Sequence, residues 1–256
     1  MSDDEARRFI AEHAHYTEDL AFWRAQAARL GSPVLDLGAA AGRVAIDLAR
    51  AGHAVWALDR SPDMLAEMRR RLEAEPAAVR ERVTPVEGDL ARLALGRRFP
   101  LVIVAMNTLQ VLTEPEDRAA CFRGVRAHLA AGGEMVFDVA LPDVEEILSS
   151  LGHERPGGAS RDPDTGALLV HSAWYDRWEP DTATLEFTLR VRVRPAGGGP
   201  EREALRRHRV HLFTPQEIAA LMAQAGLEPI GAWGDFDGGP IGPWSEHQVH
   251  RCRAAG

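Results

Sequence analysis

The sequence has few of the residues that build metal sites or disulfide frameworks. Its 256 residues include two cysteines, and Cys121 and Cys252 stand too far apart for a zinc motif or a disulfide scaffold. Both are predicted to be reduced thiols, and no metal ion is expected. Long apolar runs are also missing, because the longest, Phe99 to Met106, is too short to span a bilayer. The acidic start has no signal-peptide character, so a cytoplasmic protein without a membrane partner is predicted.

The chain also lacks the positive charge that is typical of nucleic-acid-binding proteins. Its formal net charge is −8, which gives no overall attraction to a phosphate backbone, so no nucleic-acid partner is predicted. Arginines do recur between Arg190 and Arg209, but alternating arginines on strands more often mark a solvated sheet face than an anion site. An apolar content of 45% suffices for one core, so a single enzyme domain with a subdomain is predicted.

What the chain does contain is a cofactor-binding turn. Val34 to Leu37 has the pattern of a buried strand, and small residues from Gly38 onwards lead into an amphipathic helix near Arg43. Small residues let the backbone approach a ligand, and the start of the helix offers unpaired N–H groups and a positive dipole end. A second apolar strand, His53 to Leu58, leads to Asp59, about 20 residues past the first glycine, where a carboxylate can bind two ribose hydroxyls.

The glycine spacing argues against a nicotinamide cofactor. The dinucleotide fingerprint requires glycines at its first, third and sixth positions, whereas the third and sixth positions from Gly38 are Ala40 and Arg43. The stretch from Asp36 to Gly42 instead resembles motif I of the class I S-adenosylmethionine (SAM)-dependent methyltransferases, Asp/Glu-x-Gly-x-Gly-x-Gly. Ala40 replaces the middle glycine of that motif. We expect alanine to be tolerated there if its φ stays negative.

The resemblance, which covers residues 16–140 well, implies a Rossmann-like α/β fold that binds SAM and releases S-adenosylhomocysteine. The expected sheet is doubly wound, mostly parallel and seven-stranded. Polar residues follow further strands, with Asp89 after residues 83–87, Asn107 after the run that begins at Phe99, and Asp138 near the end of the next strand. The carboxyl ends of parallel strands form the ligand-binding edge of such a sheet. In the resembling family the acidic residue at Asp89 holds the adenine amine. The predicted cofactor contacts are Tyr16, Gly38, Ala39, Gly42, Asp59, Arg60, Met64, Asp89, Leu90 and Asn107.

The sequence pattern divides the chain into three parts. Residues 33–141 and 214–256 are predicted to form the SAM-binding core, in which strands and helices alternate. Residues 1–32 have the pattern of a helical flap, and the resemblance implies that Tyr16 closes over the cofactor. Residues 142–213 contain strand-like runs without an intervening helix, so they are predicted to pair antiparallel and to form an inserted cap over the substrate.

Element boundaries are predicted from turn residues and apolar spacing. Ser61, Pro62 and Asp63 have the pattern of a helix start, with Ser61 as the N-cap and Pro62 in the first turn. A helix that begins at Pro115 is expected to continue through Leu129 and to stop at Gly132 and Gly133. A segment rich in Gly, Pro and Asp at residues 157–165 is expected to precede the cap strands. Three of these strands are predicted, at residues 167–178, 183–195 and 203–213.

No residue of the sequence stands out as a catalytic base. The methyl group of SAM is already activated, so the protein mainly has to hold methyl and nucleophile in line. His171 and His208 on the cap are the candidate catalytic residues, although each could instead be a surface or hydrogen-bonded histidine. His208 and His211 are three residues apart, so on a regular strand they face opposite sides and cannot serve one substrate.

The acceptor is the least defined part of the prediction. The main hypothesis is transfer of a methyl group to an O or N atom of a small molecule. The alternatives are a SAM-binding sensor or scaffold without transferase activity, or a methyltransferase of RNA or protein, which would need a basic, open groove. Either a monomer or a homodimer is compatible with the sequence. Six aromatic residues could line an apolar substrate pocket or form the core of the cap, namely Trp174, Tyr175, Trp178, Trp233, Phe236 and Trp244.

Overall fold

The structure is a computed structural model that describes residues 16–255, apart from residues 142, 163, 164 and 243. Its strands are β1 Val34–Leu37, β2 Val55–Asp59, β3 Val83–Glu87, β4 Phe99–Val104, β5 Leu129–Ala140, β6 Arg155–Arg161, β7 Leu168–Glu179, β8 Thr184–Arg194, β9 Arg202–His211, β10 Leu227–Trp233 and β11 His247–Ala254. Its helices are α1 Leu20–Leu30, α2 Arg43–Arg50, α3 Pro62–Glu73, α4 Ala77–Arg80, α5 Pro115–His128, α6 Val144–Ser149 and α7 Pro215–Gln224. Short 3₁₀ turns lie at Thr108–Val111 and Pro180–Thr182.

Seven strands form the larger sheet, in the order β10-β11-β5-β4-β1-β2-β3. The strands from β5 to β3 in that order are parallel to one another, whereas β11 runs antiparallel to β5 and to β10. The predicted doubly wound, mostly parallel seven-stranded sheet is confirmed. Strand order reverses between β1 and β4, and crevices at such a point are where open parallel sheets bind ligands.

Both faces of the larger sheet are covered, which explains why its central strands are apolar throughout. All four residues of β1 are buried. Apolar residues of α1, α2 and α3 pack on one face, and those of α5 and α7 pack on the other. The start of α3 is as predicted, because Ser61 caps it by accepting a hydrogen bond from the backbone N–H of Met64 at 3.3 Å, and Pro62 opens its first turn.

The prediction that the helix from Pro115 reaches Gly132 is wrong. The helix ends at His128, and β5 begins at Leu129 and runs through both glycines. A Cβ on Gly133 would lie 2.7 Å from the backbone oxygen of Phe99. The two glycines therefore form an irregular start of β5, where its pairing with β4 shifts.

The smaller sheet is antiparallel and has the order β6-β7-β8-β9. The three strands predicted from the sequence are β7, β8 and β9, and β6 is a fourth that the sequence analysis missed. It pairs with β7 across a shift in register between Pro156 and Ala159. Proline and glycine are tolerated there because β6 lies at the edge of its sheet.

A buried joint fastens the smaller sheet to the larger one. Gln110 donates from Nε2 to the backbone oxygen of His211 at 3.1 Å, and its Oε1 accepts the N–H of Ala140 at 3.2 Å. The His211 ring contacts Oε2 of Glu217 at 2.7 Å, and Oε1 of Glu217 lies 3.1 Å from Nε of the buried Arg118. These contacts fix the end of β9 against β5, α5 and α7.

The predicted flap lies only partly within the described residues. The predicted flap is described only from Tyr16 onwards, because residues 1–15 lie outside the described part of the chain. Within the described ranges, no helix combines the length and the apolar composition needed to cross a membrane.

Candidate functional site

A cleft of about 590 Å³ lies between the carboxyl edge of the larger sheet and strand β9. Its floor comes from the ends of β1, β2 and β3, the start of α3 and the 3₁₀ turn that follows β4. Its roof is the stretch Leu205 to His208. This volume is within the range of small-molecule sites in proteins, and the cleft has one wall on each sheet.

The structure brings six of the ten predicted cofactor contacts together in this cleft. They are Gly38, Asp59, Arg60, Met64, Asp89 and Leu90. Tyr16, Ala39, Gly42 and Asn107 do not contribute to the described lining of the cleft. Of these four, Ala39 and Gly42 belong to the turn that begins at Gly38, and Asn107 precedes the lining residue Thr108.

The turn after β1 can be made only with small residues. Gly38 has a φ of +72°, and a Cβ on it would lie 2.2 Å from Cγ2 of Thr108. Gly42 has a φ of +80°, and its Cβ would lie 2.9 Å from Cγ of Met68. The backbone N–H of Gly38 donates to the oxygen of Leu58 at 2.8 Å, which fixes the turn against β2. Glycine is required at both positions by φ and by space.

The backbone of Ala40 does not meet the condition under which alanine was expected to be tolerated. Its φ is +46°, not negative, so an alanine occupies the left-handed region at the position of the middle glycine. That conformation costs an L-residue roughly 1 kcal/mol or more. The N–H of Ala40 donates to Oδ2 of Asp59 at 2.8 Å, and this charge-assisted hydrogen bond offsets part of the cost.

Asp59 is held rigidly at the end of β2. Besides the bond from Ala40, its Oδ1 accepts the N–H of Ser61 at 2.8 Å. Asp89 is fixed in a similar way, since its Oδ1 accepts the N–H of Ala91 at 2.8 Å. Each carboxylate oxygen has more than one acceptor direction, so both side chains can still accept hydrogen bonds from a ligand in the cleft.

A buried acidic cluster lies beside the turn. Asp19 is fully buried and accepts hydrogen bonds from Arg43 at 2.5 and 2.7 Å. Asp138 accepts the N–H groups of Met106 and Asn107 at 2.7 and 3.0 Å. Asp36 is the third carboxylate, and its Oδ2 is buried without a hydrogen-bond partner among the described residues. The cluster thus holds three carboxylates against the guanidinium of Arg43.

Burial raises the pKa of two carboxyl groups in this cluster. It raises the pKa of Asp36 to about 7, against the attraction of Arg43, and Asp59 adds to the rise. Burial likewise raises the pKa of Asp138 to about 7, against the hydrogen bonds from Asn107 and Met106. In both carboxyls the loss of hydration outweighs the favourable contacts.

Tyr16 and Asn107 lie next to this cluster. The guanidinium carbon of Arg43 is 5.1 Å from the centre of the Tyr16 ring, and the Tyr16 backbone oxygen accepts from Arg43 at 3.2 Å. Burial, followed by the charges of Asp19 and Asp138, raises the pKa of Tyr16 to about 12. Asn107 has a φ of +59°, and its Oδ1 is buried with no partner among the described residues.

The structure separates the two predicted catalytic histidines. His208 lies in the roof of the cleft, and its ring stacks on Phe187 with centroids 5.0 Å apart. His171 lies on β7, where its Nε2 is 3.1 Å from Oγ of Ser160, and it is not among the described residues that line the cleft. His211, three residues after His208, is buried in the joint between the sheets, so the two are indeed directed to different places.

The aromatic residues of the cap and of the last strands do not line the described cleft. Tyr175 and Trp178 pack on the apolar cluster of the cap, and Phe236 packs on Phe22 of α1 with centroids 5.5 Å apart. Trp244 is 94% exposed. Of the two interpretations open for these residues, core packing describes Tyr175 and Trp178 in the cap, and Phe236 packs on α1.

Of the roof, the sequence analysis predicts His208 as a site residue but not Leu205, Arg206 or Arg207. The two arginines belong to the stretch that was interpreted as a solvated sheet face. Thr108 was missed as well, although its neighbour Asn107 was predicted. Thr108 could have been predicted, because it follows the end of β4 at the ligand-binding edge of the sheet. Nothing in the sequence indicates which residues of β9 cross the cleft.

Comparison with known proteins agrees with this architecture. The family model described as a methyltransferase domain matches residues 34–133. The chain is 32% identical over 134 residues to the cypemycin N-terminal methyltransferase of a Streptomyces species, covering 49% of this chain and 52% of that protein. It is 32% identical over 205 residues to a carboxy-S-adenosyl-L-methionine synthase of Pseudomonas putida, covering 76% of this chain and 80% of that protein.

The chain spans only 52% to 63% of the length of several of the curated relatives that it matches, the cypemycin N-terminal methyltransferase among them. Among solved structures, the CcbJ methyltransferase from Streptomyces caelestis is 29% identical, with a TM-score of 0.77 and 96% of each chain covered. The glycopeptide N-methyltransferase MtfA is 25% identical, with a TM-score of 0.61 and 94% and 92% of the two chains covered. The chain belongs to the class I SAM-dependent methyltransferase family.

Proposed function

We propose that the protein binds SAM in the cleft and transfers its methyl group to a nitrogen atom of a small-molecule acceptor held beneath β9. The observation that carries this proposal is the pairing of the Gly38 turn with Asp59. The turn has no room for a Cβ, which suits close approach of a ligand to the backbone. Asp59 lines the same space with its orientation fixed by two backbone N–H groups.

The residues of the cleft fit the parts of SAM. We assign the two ribose hydroxyls to Asp59 and the adenine amine to Asp89, with Arg60, Met64 and Leu90 beside the adenosine. The backbone of the turn, from Gly38 through Ala39 to Gly42, is assigned to the methionine part together with Tyr16 and Asn107. The buried acceptor on Asn107 that has no described partner fits a cationic amino group.

The chain's own contribution to the reaction is positioning. Bound SAM supplies a methyl group that its sulfonium has already activated. The floor and the roof of the cleft exclude water and hold the acceptor nucleophile in line, and such orientation supplies several kcal/mol of the barrier reduction. His208 is the residue that we assign to take a proton from an acceptor that arrives protonated. His171 receives no role, since it is not among the lining residues described.

The choice of nitrogen over oxygen rests on the names of relatives. Both the cypemycin N-terminal methyltransferase and the glycopeptide N-methyltransferase MtfA are named for transfer to nitrogen. The sequence alone left oxygen and nitrogen open. A cleft that continues beyond the cofactor residues to a roof of side chains favours a transferase over a SAM-binding sensor or scaffold. The net charge of −8 disfavours RNA as the acceptor.

A second candidate is synthesis of carboxy-SAM. It is favoured by the relative from Pseudomonas putida, 80% of which the chain covers at 32% identity. That reaction modifies the cofactor itself, whereas a methyltransferase converts SAM to S-adenosylhomocysteine. The mass of the nucleoside product after turnover therefore distinguishes the two candidates.

The remaining assignments follow the sequence. We propose that residues 33–141 and 214–256 form the SAM-binding core, that residues 142–213 form the substrate cap, and that residues 1–32 act as a flap. A cytoplasmic monomer or homodimer is proposed. Fully buried Cys121 and Cys252 are compatible with a reducing compartment.

Isothermal titration with SAM and, separately, with NADH tests the cofactor assignment. We expect SAM to bind in the micromolar range and NADH to give no heat. Asp59→Ala should weaken SAM at least about tenfold, since it removes charge-assisted hydrogen bonds. Glu87→Ala is the matched control, because Glu87 pairs with Asp59 in the sheet but does not line the cleft. Absence of SAM binding to the wild type would overturn the proposal.

A further inference from the structure

We propose that the acceptor carries an anionic group, a carboxylate or a phosphate, next to an apolar body, and that Arg207 binds this anion. The inference deepens the proposed function and rests on it, because it assigns the substrate class to the same cleft. It is drawn from the contrast between Arg207 and most of the other arginines of the smaller sheet, together with the position of Arg207 in the cleft.

Most arginines of the smaller sheet have carboxylate partners. Arg190 contacts Glu154 at 2.8 Å, and Arg194 contacts Glu201 at 2.6 Å. Arg209, two residues after Arg207 on the same strand, lies within 4.0 Å of three glutamates. These ion pairs are typical of a solvent-exposed sheet face on which arginine and glutamate charges neutralise one another.

Arg207 departs from this pattern. It is exposed, lines the cleft, and has no carboxylate within ion-pair distance among the described residues. The chain contains no lysine, so its cationic side chains other than histidine are guanidinium groups. A guanidinium binds carboxylate or phosphate through two parallel hydrogen bonds, which adds geometric specificity to the charge. Arg207 therefore lies at the acceptor side of the cleft, and its guanidinium N–H groups are available to bind an anion.

The charge of the cofactor strengthens the argument. SAM carries a sulfonium and an ammonium but only one carboxylate, so bound SAM would bring a net positive charge into the cleft, and this charge would repel the guanidinium of Arg207. An anionic acceptor group next to Arg207 removes this repulsion when cofactor and acceptor are both bound. A neutral or cationic acceptor would leave it in place.

Two exposed apolar side chains define the neighbouring part of the acceptor. Val111 in the floor is 44% exposed and Leu205 in the roof is 53% exposed, and both line the cleft. They lie on opposite walls, since Val111 belongs to the 3₁₀ turn after β4 and Leu205 to β9. An apolar body between them removes both side chains from water, while Arg207, two residues from Leu205, reaches an anion at its end.

Matched pairs of small probes test this inference on the complex with S-adenosylhomocysteine. The probes are benzoate with benzamide, and phenyl phosphate with phenol, titrated calorimetrically. We expect at least one anion to bind more tightly than its neutral partner. Arg207→Gln should weaken that anion by about tenfold or more and leave the neutral probe unchanged. Whether benzoate or phenyl phosphate is the tighter probe identifies the anion as a carboxylate or a phosphate.

Arg202→Gln is the matched control, because Arg202 is exposed on the same strand but does not line the cleft. It should leave all four affinities unchanged. Equal binding of anions and neutral partners, or equal anion binding by wild type and Arg207→Gln, would overturn the inference. Binding of S-adenosylhomocysteine by every variant shows that it is folded and that the cofactor assignment stands. Loss of that binding in the wild type would count against the proposed function instead.

Discussion

The two walls of the cleft are built in different ways. The core wall is made by backbone geometry: left-handed turns at Gly38, Ala40 and Gly42, and carboxylates fixed by N–H groups. The wall on β9 is made by side chains on an edge strand, which pairs with β8 on one side only and carries exposed ion pairs such as those of Arg209. A wall made by backbone geometry tolerates few amino-acid types at its turns. A wall made by side chains can be substituted one residue at a time.

This difference agrees with the range of the family model, which covers the core wall but not the cap. The family model ends at residue 133, before the smaller sheet begins. A turn without room for a Cβ constrains residue type at fixed positions. Exposed strand residues carry no such constraint, because substitutions there usually change stability by only about 0.5 kcal/mol.

The largest effect is expected from the core wall. Gly38→Ala should abolish measurable SAM binding, which corresponds to a loss of at least about 100-fold. The new Cβ would lie 2.2 Å from Cγ2 of Thr108, so the turn must shift. Gly31→Ala is the matched control, because Gly31 also has a positive φ, +87°, but has no atom within 4 Å of a new Cβ. If both variants bind SAM as the wild type does, the core wall is not the rigid half.

The buried acids of the core should make stability depend on pH more strongly than the ion pairs of the cap. Burial raises the pKa of Asp36 to about 7, from about 3.9 in an unfolded chain. The native carboxyl thus keeps its proton between these values while the unfolded one loses it. The stability that this group contributes is full below about pH 4 and is lost as pH rises to 7.

Asp36→Asn should therefore gain stability relative to the wild type as pH rises from 4 to 8, by an amount of order 4 kcal/mol. Urea unfolding at each pH measures the difference. Glu154→Gln in an exposed ion pair of the cap is the control and should give a difference that varies little with pH. Equal pH dependence of the two variants would remove this contrast between core and cap.

A variant of the joint between the sheets tests whether the position of the cap affects cofactor binding. Glu217→Gln removes the charge that pairs with buried Arg118 and His211, and we expect a loss of about 2 kcal/mol in unfolding free energy. Hydrogen exchange of β9 should rise, while SAM affinity should stay within about twofold. Glu228→Gln, in an exposed pair with Arg253, is the control. A parallel loss of SAM affinity would show that the two walls are not independent.

The smallest effect concerns Ala40. Ala40→Gly should stabilise the protein by about 0.5 kcal/mol, because glycine relieves the left-handed strain but loses more entropy on folding. The expected rise in Tm is about 1 to 2 °C. Ala51→Gly, at a φ of −75°, is the control and should not stabilise. A lower Tm for Ala40→Gly would mean that the alanine is not strained in its turn.

The fold class and the family were predicted from the sequence because apolar periodicity and the Asp36 to Gly42 motif reflect local requirements. The start of α3 was predicted for the same reason, since Ser61 and Pro62 act within one helical turn. The end of α5 was not predicted, because the close approach of Gly133 to Phe99 involves residues distant in sequence. The roles of individual site residues stay predictions.

Long-range placement also explains the errors in the site. The positive φ of Ala40 could not be predicted from the sequence, because the hydrogen bond from Ala40 to Asp59 depends on where β2 ends. Residues 205–207 of the roof were missed, although His208 was a predicted site residue, because the position of the roof is set by the joint at Gln110 and His211. No local pattern shows which edge of a sheet will face another sheet.

The continuity of the roof has a practical consequence for protein engineering. Its four consecutive residues, 205 to 208, are encoded by one short DNA cassette, and they are partly or fully exposed. A combinatorial library confined to these four codons would sample many acceptor-facing surfaces at little cost in stability. The glycines and carboxylates of the other wall would stay untouched in every member of such a library.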